Sequence, residues 1–255
     1  MFKEEINKVL DVAKVNMKAD EKLLDDKGRS VPYPLVANSG HCYIFSGASR
    51  SGKTTAMINV LSKRAKDGVR RSYRGLYDDI IIVSPSLHTL DNNIFEDIAD
   101  DKKFSELSLD VFDKIEEITS ENQPEEKHTL VVFDDVATYL KNGDIQRQFI
   151  NCINNRRHKN LNIYIICQVY NQVPAQIRKN IDLLFLFKPK TKMETESVIS
   201  DYFMMPRQKV LELFNFVYKE RFDFMILDLT LRKSAKYIYF RNYNQIIIQD
   251  ENNCI

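Results

Sequence analysis

Two glycines, a lysine and a threonine stand at the spacing a phosphate-gripping turn requires: Gly47-Ala48-Ser49-Arg50-Ser51-Gly52-Lys53-Thr54, with Thr55 next. This is the full G-x-x-x-x-G-K-[ST] pattern, and the apolar run Cys42-Tyr43-Ile44-Phe45 precedes it. An anion is held by several backbone N–H groups aimed at one point. Glycines let the chain curl into such a nest, and the helix beginning near Gly52 adds its positive dipole end. Lys53 then reaches the β- and γ-phosphates of a nucleoside triphosphate, and Thr54 offers its hydroxyl to Mg2+, a small hard cation that takes oxygen ligands. The alternative is a glycine-bearing surface turn. It explains neither the strand-like run before the motif nor the helical apolar spacing of residues 55–61 after it. Gly47, Ala48, Ser49, Arg50, Ser51, Gly52, Lys53, Thr54 and Thr55 are therefore the expected nucleotide-binding set.

Triphosphate chemistry also needs acids, and Thr129-Leu130-Val131-Val132-Phe133-Asp134-Asp135 is an apolar strand ending in two carboxylates, a Walker B arrangement. Asp134 would hold the magnesium hydration shell. Asp135 would orient or deprotonate the attacking water, chiefly by positioning it, because phosphoryl transfer leaves little covalent work for the protein. A single strand-end Asp is commonly a solvated turn; two of them downstream of an intact P-loop read otherwise. A further strand, Asn162-Ile163-Tyr164-Ile165-Ile166-Cys167, ends in the amide of Gln168. Such a group at the carboxyl end of a parallel strand can sense the γ-phosphate or hold the lytic water. Arginines follow the same logic: a permanently charged planar fork neutralises transition-state phosphate in cis or across a subunit interface. Arg157 is the first choice as a finger acting in trans, with Arg156 and Arg178 in reserve, and helix-end capping is the competing role for each.

These residues need a frame. Short apolar runs alternate with longer helical stretches, the signature of βαβ units and a mainly parallel sheet. Strands are expected near 41–46, 79–84, 129–133, 162–167 and 182–187. Helices are expected over 52–66, part of 90–118, 144–158, 193–203 and 206–219. Residues 222–227, 236–240 and 245–248 read as antiparallel strands, with a turn around Arg232-Lys233-Ser234. At the start, Phe2, Ile6, Val9, Leu10, Ala13 and Met17 fall at helical spacing. This divides the chain into an N-terminal amphipathic helical segment, 1–30, and a P-loop ATPase domain, 31–255. The stripe docks on its own domain or on a neighbouring subunit.

The bulk composition narrows the setting. At 255 residues and 44% apolar, the chain can build one large α/β core, and a net charge of +1 exerts no global pull on nucleic acid. A polyanion partner must then be held by local patches or by a ring of subunits. Lys63, Arg64, Lys66, Arg70, Arg71 and Arg74 form one basic stretch, read either as a solvated helix end or as a DNA-phosphate contact. Four dispersed cysteines and four dispersed histidines fit reduced thiols and show no metal-ligand spacing. No apolar run is long enough for a bilayer, so a soluble intracellular protein without membrane contact is expected.

Taken together, the P-loop, Phe133-Asp134-Asp135-Val136, Asn155-Arg156-Arg157-His158, Cys167-Gln168, Val173-Pro174 and Arg178-Lys179-Asn180-Ile181 resemble the poxvirus-type genome-packaging ATPases of the FtsK–HerA group of DNA pumps. The resemblance spans residues 40–190 and lies in the order and spacing of the blocks. It implies a RecA-like P-loop NTPase core with the Gln168 strand between the other two site strands, ATP and Mg2+ as ligands, and a homo-oligomeric ring. It also implies ATP-driven translocation of double-stranded DNA into a capsid, in the host cytoplasm or a viral factory, with capsid components as further partners. Bacterial members of the wider group usually close Walker B with Asp-Glu, whereas here it is Asp134-Asp135, a shorter base that fits the viral branch. A nucleotide kinase and a non-hydrolysing, nucleotide-stabilised assembly scaffold compete with this reading. Paired acids beside a strand-tip Gln favour water as acceptor over a substrate hydroxyl, and they argue for turnover. No N-K-x-D guanine-reading motif supports a GTPase.

Overall fold

A computed structural model describes residues 39–62, 73–87, 95, 97–230 and 239–246. The anticipated N-terminal helix, the turn at Arg232-Lys233-Ser234 and the basic residues of 63–72 lie outside the described residues, and of Arg74 only the backbone, in a 3-10 turn over Tyr73–Leu76, is described.

Among the described residues nine strands form a single sheet: β1 Cys42–Ser46, β2 Asp79–Val83, β3 Lys103–Phe104, β4 Thr129–Asp134, β5 Leu161–Cys167, β6 Leu183–Phe187, β7 Phe224–Asp228, β8 Tyr239–Arg241 and β9 Asn244–Gln245. Their order is β3-β2-β4-β5-β1-β6-β7-β8-β9. Pairings from β3 through β6 are parallel, and those of β7, β8 and β9 are antiparallel, as the two composition regimes of the chain predict. The helices are α1 Lys53–Ser62, α2 Leu109–Asn122, α3 Gly143–Asn155, α4 Ala175–Arg178, α5 Lys192–Tyr202 and α6 Arg207–Val217.

The central strands are apolar on both faces because both faces are covered. Residues such as Ile44, Val131, Phe133, Ile163 and Ile165 meet Val111, Ile115, Phe149, Ile153, Val198 and Val210 of α2, α3, α5 and α6. Their neighbours Tyr43, Phe45, Leu130, Val132, Tyr164 and Ile166 meet Ala56, Met57, Val60 and Leu61 of α1 on the other side. On that side Tyr43 stacks on Tyr164 at 5.1 Å and Phe45 on Phe185 at 4.3 Å. Truncating one of these fully buried rings costs about 3–5 kcal/mol. The P-loop therefore leaves a strand in the middle of the sheet and enters a helix nailed to that sheet by four buried residues.

Two local readings differ from the structure. The helix expected over 144–158 stops at Asn155 and tightens into a 3-10 turn, Arg156–Lys159, because the Arg156 guanidinium is drawn back onto the Ile153 carbonyl (2.8 Å) and left-handed Asn160 (φ 48°) redirects the chain into β5. The 90–118 stretch, read as partly helical, also supplies an edge strand, β3. Lys102 beside it pairs with Asp79 at the start of β2.

Candidate nucleotide site

Three adjacent strands, β4, β5 and β1, end side by side: Ser46 pairs with Cys167, and Asp134 with Ile166. The tip of β5 fastens both neighbours. Its Cys167 carbonyl accepts the Gly47 N–H at 3.2 Å, and its Ile166 carbonyl accepts the Asp135 N–H at 3.0 Å. Gly47 and Gly52 are needed for different reasons. A Cβ on Gly47 would lie 2.4 Å from the Cβ of Phe187, whereas Gly52 has φ +100°, which side chains rarely adopt. Arg50 (φ 61°) completes the curl.

Within that loop Lys53 is 8% exposed and donates from Nζ to the Ala48 carbonyl at 2.9 Å. Burial lowers its pKa below the ordinary lysine value, while Asp134 and Asp135 pull the other way. Asp134 shows the mirror image: burial raises its carboxyl above the usual range, and Lys53 and a Ser84 hydrogen bond oppose the rise. Burial thus disfavours the charged form of each group. The Ser51 hydroxyl, buried in the same loop, has no hydrogen-bond partner among the described residues. A triphosphate with its cation would meet each of these demands, supplying anionic oxygens to Lys53 and Ser51 and positive charge to Asp134. The donor set, Thr54 and Asp134, is all oxygen, as Mg2+ requires.

Asp135 takes a left-handed conformation (φ 53°, ψ 35°) as the chain leaves β4 for a 3-10 turn, Val136–Lys141. Its Oδ2 accepts from the Gln168 amide at 2.7 Å. Gln168 is steadied from behind: the buried Glu194 of α5 accepts from the Tyr170 N–H at 3.0 Å, tying down the loop after β5. Lys53, Asp134, Asp135 and Gln168 therefore share one end of the sheet.

Sequence reading missed Ser84, at the end of β2. Its hydroxyl accepts from the Ser86 N–H (3.2 Å) and donates to Asp134 Oδ2 (2.9 Å), so its one proton is committed to the carboxylate. The available signal was a small polar residue closing the strand beside the acidic one.

The arginines separate cleanly. Arg156 is buried, donating to the carbonyls of Ile153 and Asn180 and to Asp182 Oδ2. Arg178 pairs with Asp201 and lies 4.7 Å over the Tyr170 ring. Both are engaged within their own subunit. Arg157 is half-exposed, with Asp182 Oδ1 at 3.6 Å. It precedes β5 whereas Gln168 follows it, and seven strand residues put about 20 Å between the two ends.

The family model described as poxvirus A32 protein matches residues 36–254. The chain belongs to that family. This is the family anticipated from the sequence blocks. Among solved structures, the DNA-packaging ATPase B204 from Sulfolobus turreted icosahedral virus is 15% identical with a TM-score of 0.54, covering 76% of this chain and 94% of its own. B204 from Sulfolobus turreted icosahedral virus 2, in complex with AMP, is 16% identical with a TM-score of 0.56 and coverages of 83% and 100%. EssC (ATPases 2 and 3) from Geobacillus thermodenitrificans is 14% identical with a TM-score of 0.56, covering 92% of this chain and 46% of its own. At these identities the likeness is one of fold, and the fold is that of the RecA-like P-loop NTPases. No curated protein matches the chain in sequence. Among the described residues no helix is long and apolar enough to cross a membrane.

Proposed function

We propose that the protein is a viral genome-packaging ATPase: it binds ATP with Mg2+, hydrolyses it, and couples turnover to movement of double-stranded DNA into a capsid as a homo-oligomeric ring. The observation that carries this reading is the convergence of Lys53, Asp134 and the Gln168–Asp135 pair at the ends of three neighbouring strands. Membership of the poxvirus A32 family and the B204 packaging ATPases among its structural likenesses support the choice of cargo.

The residues divide the work. With the Gly47 N–H committed to the Cys167 carbonyl and that of Ser51 to the Ala48 carbonyl, the remaining backbone N–H groups up to Thr55 and the Lys53 ammonium grip the phosphates. Thr54 and Asp134 would hold the cation, whose contribution when bound is to neutralise charge on the phosphoryl oxygens. Asp135 orients the attacking water and accepts its proton, and the Gln168 amide fixes the carboxylate until the γ-phosphate competes for that amide. Within its own subunit Arg157 faces away from this work, and its exposed guanidinium suits the phosphates of an adjoining subunit.

ATP turnover measured with and without duplex DNA tests the proposal. Duplex is expected to stimulate wild-type hydrolysis, Lys53→Ala to lose nucleotide affinity, and Asp135→Asn to bind ATP while losing about a thousandfold or more in turnover. Wild-type and Asp135→Asn proteins with the same negligible rate would replace the motor with an assembly scaffold. Mixing tests the trans assignment: Asp135→Asn subunits, which still carry Arg157, should restore turnover to Arg157→Ala subunits.

A further inference from the structure

Beside the phosphate loop lies a cavity of about 590 Å³ between one face of α1 and the turn that enters β7. Gly52, Thr55 and Asn59 line it from the helix, and Arg221 and Phe222 from the turn. Its volume is in the range of small-molecule sites, and it begins where the phosphate nest ends, because Gly52 and Thr55 belong to both.

Phe222 is the unusual wall. Its ring is 57% exposed, yet the turn that bears it is tightly fastened. Asp223, buried, accepts from the backbone N–H groups of Lys219 (3.1 Å) and Glu220 (2.8 Å) and from the side chains of Arg241 (2.8 Å) and Asn242 (3.0 Å). Four bonds on one carboxylate hold an apolar ring out toward solvent. The ring reaches back to the phosphate loop: its Cδ1 lies 3.5 Å from where a Cβ on Gly52 would be, and the Arg221 guanidinium sits 5.1 Å from its centre.

We propose that this cavity takes the nucleoside of the bound triphosphate, with Phe222 stacking against the base. A planar ring held at the mouth of a cavity that shares Gly52 and Thr55 with the phosphate grip offers a π-face to the base, while the phosphates stay over Lys53. The antiparallel strands β7 to β9 thereby acquire a role, since Asp223 and Asn242 build the turn and the turn presents the ring. The assignment rests on the ATP reading above, and a pair of ligands separates the two.

ATP contains the base, and inorganic tripolyphosphate engages only the phosphate grip. Calorimetric titration of the full chain with each, in the presence of Mg2+, should give an ATP affinity about tenfold weaker in Phe222→Ala than in wild type, with tripolyphosphate affinity unchanged. Phe222→Tyr, which keeps the ring, should bind both like wild type. Unaltered ATP affinity in Phe222→Ala, or an equal loss for both ligands, would overturn the base assignment and leave the phosphate site standing. Failure of the wild-type protein to bind either ligand would overturn the ATP reading and this one with it.

Discussion

The two ends of the parallel strands are built on opposite plans. At their amino-terminal ends the polar groups are densely paired: Asn162 Oδ1 accepts from the N–H groups of Gly40 (3.1 Å) and His41 (3.3 Å), and its amide donates to the carbonyls of Thr129 (3.1 Å) and Asn160 (3.3 Å). Asp182 accepts from the Cys42 N–H at 2.7 Å and from Arg156 at 3.2 Å. At the carboxyl ends, burial disfavours the charged forms of Lys53 and Asp134, Ser51 Oγ is buried with no hydrogen-bond partner among the described residues, and Arg50 and Asp135 adopt left-handed backbone. One end pairs most of its own groups, Arg156 Nε excepted, and holds the sheet together. The other leaves demands that a ligand can meet, at a cost in stability that the first end offsets.

That contrast breaks most visibly at Asn162. Asn162→Leu takes the acceptor from the N–H groups of Gly40 and His41 and a donor from the carbonyls of Thr129 and Asn160, a loss of about 2–4 kcal/mol, read as a fall of roughly 5–15 °C in thermal midpoint. Below its own midpoint the variant should bind ATP like wild type. At the other end the sign reverses. Asp134→Asn should raise the midpoint of the ligand-free protein by about 2–4 °C while removing the Mg2+-dependent part of nucleotide binding.

The pH dependence of that second effect follows from the direction of the shift. A carboxyl whose folded pKa lies above its unfolded value lowers stability once pH exceeds the folded pKa, and has no effect where both states are protonated. The advantage of Asp134→Asn should therefore be full above the raised pKa and shrink as pH falls through it toward the ordinary carboxylate range. The smallest effect belongs to a place that takes no part in the contrast: the exposed Arg207–Glu196 pair on α5 and α6. Arg207→Ala should move the midpoint by no more than about 1 °C, since exposed pairs gain little over solvation.

Much of this arrangement was legible in the chain. The P-loop letters needed no partner to be read, and the runs at 79–84, 129–133 and 162–167 are long and apolar enough to announce strands buried on both faces. The neighbour relation of the Gln168 strand came from the family resemblance, because periodicity cannot order parallel strands. What stayed hidden depends on distant pairing. Ser84 acquires meaning only when β2 lies beside β4, and the fates of Arg156 and Arg178 turn on Asp182, Asn180 and Asp201, more than twenty residues away. Edge strand β3 carries no pattern of its own, since two residues are too few to show alternation. Phe222 and Asp223 read as the start of the 222–227 strand, whereas that strand begins at Phe224, and nothing local links the turn to Gly52.

The contact at Gly47 has a consequence for how this loop can change over time. The atom that blocks a side chain there is the Cβ of Phe187, which every amino acid other than glycine possesses, so trimming the ring to alanine would not make room. A substitution at 47 has no compensating partner at 187 short of a second glycine inside a buried strand, itself unfavourable by roughly 0.5–1 kcal/mol. The two positions are locked jointly, and lineages that vary the rest of the phosphate loop should keep this pair intact.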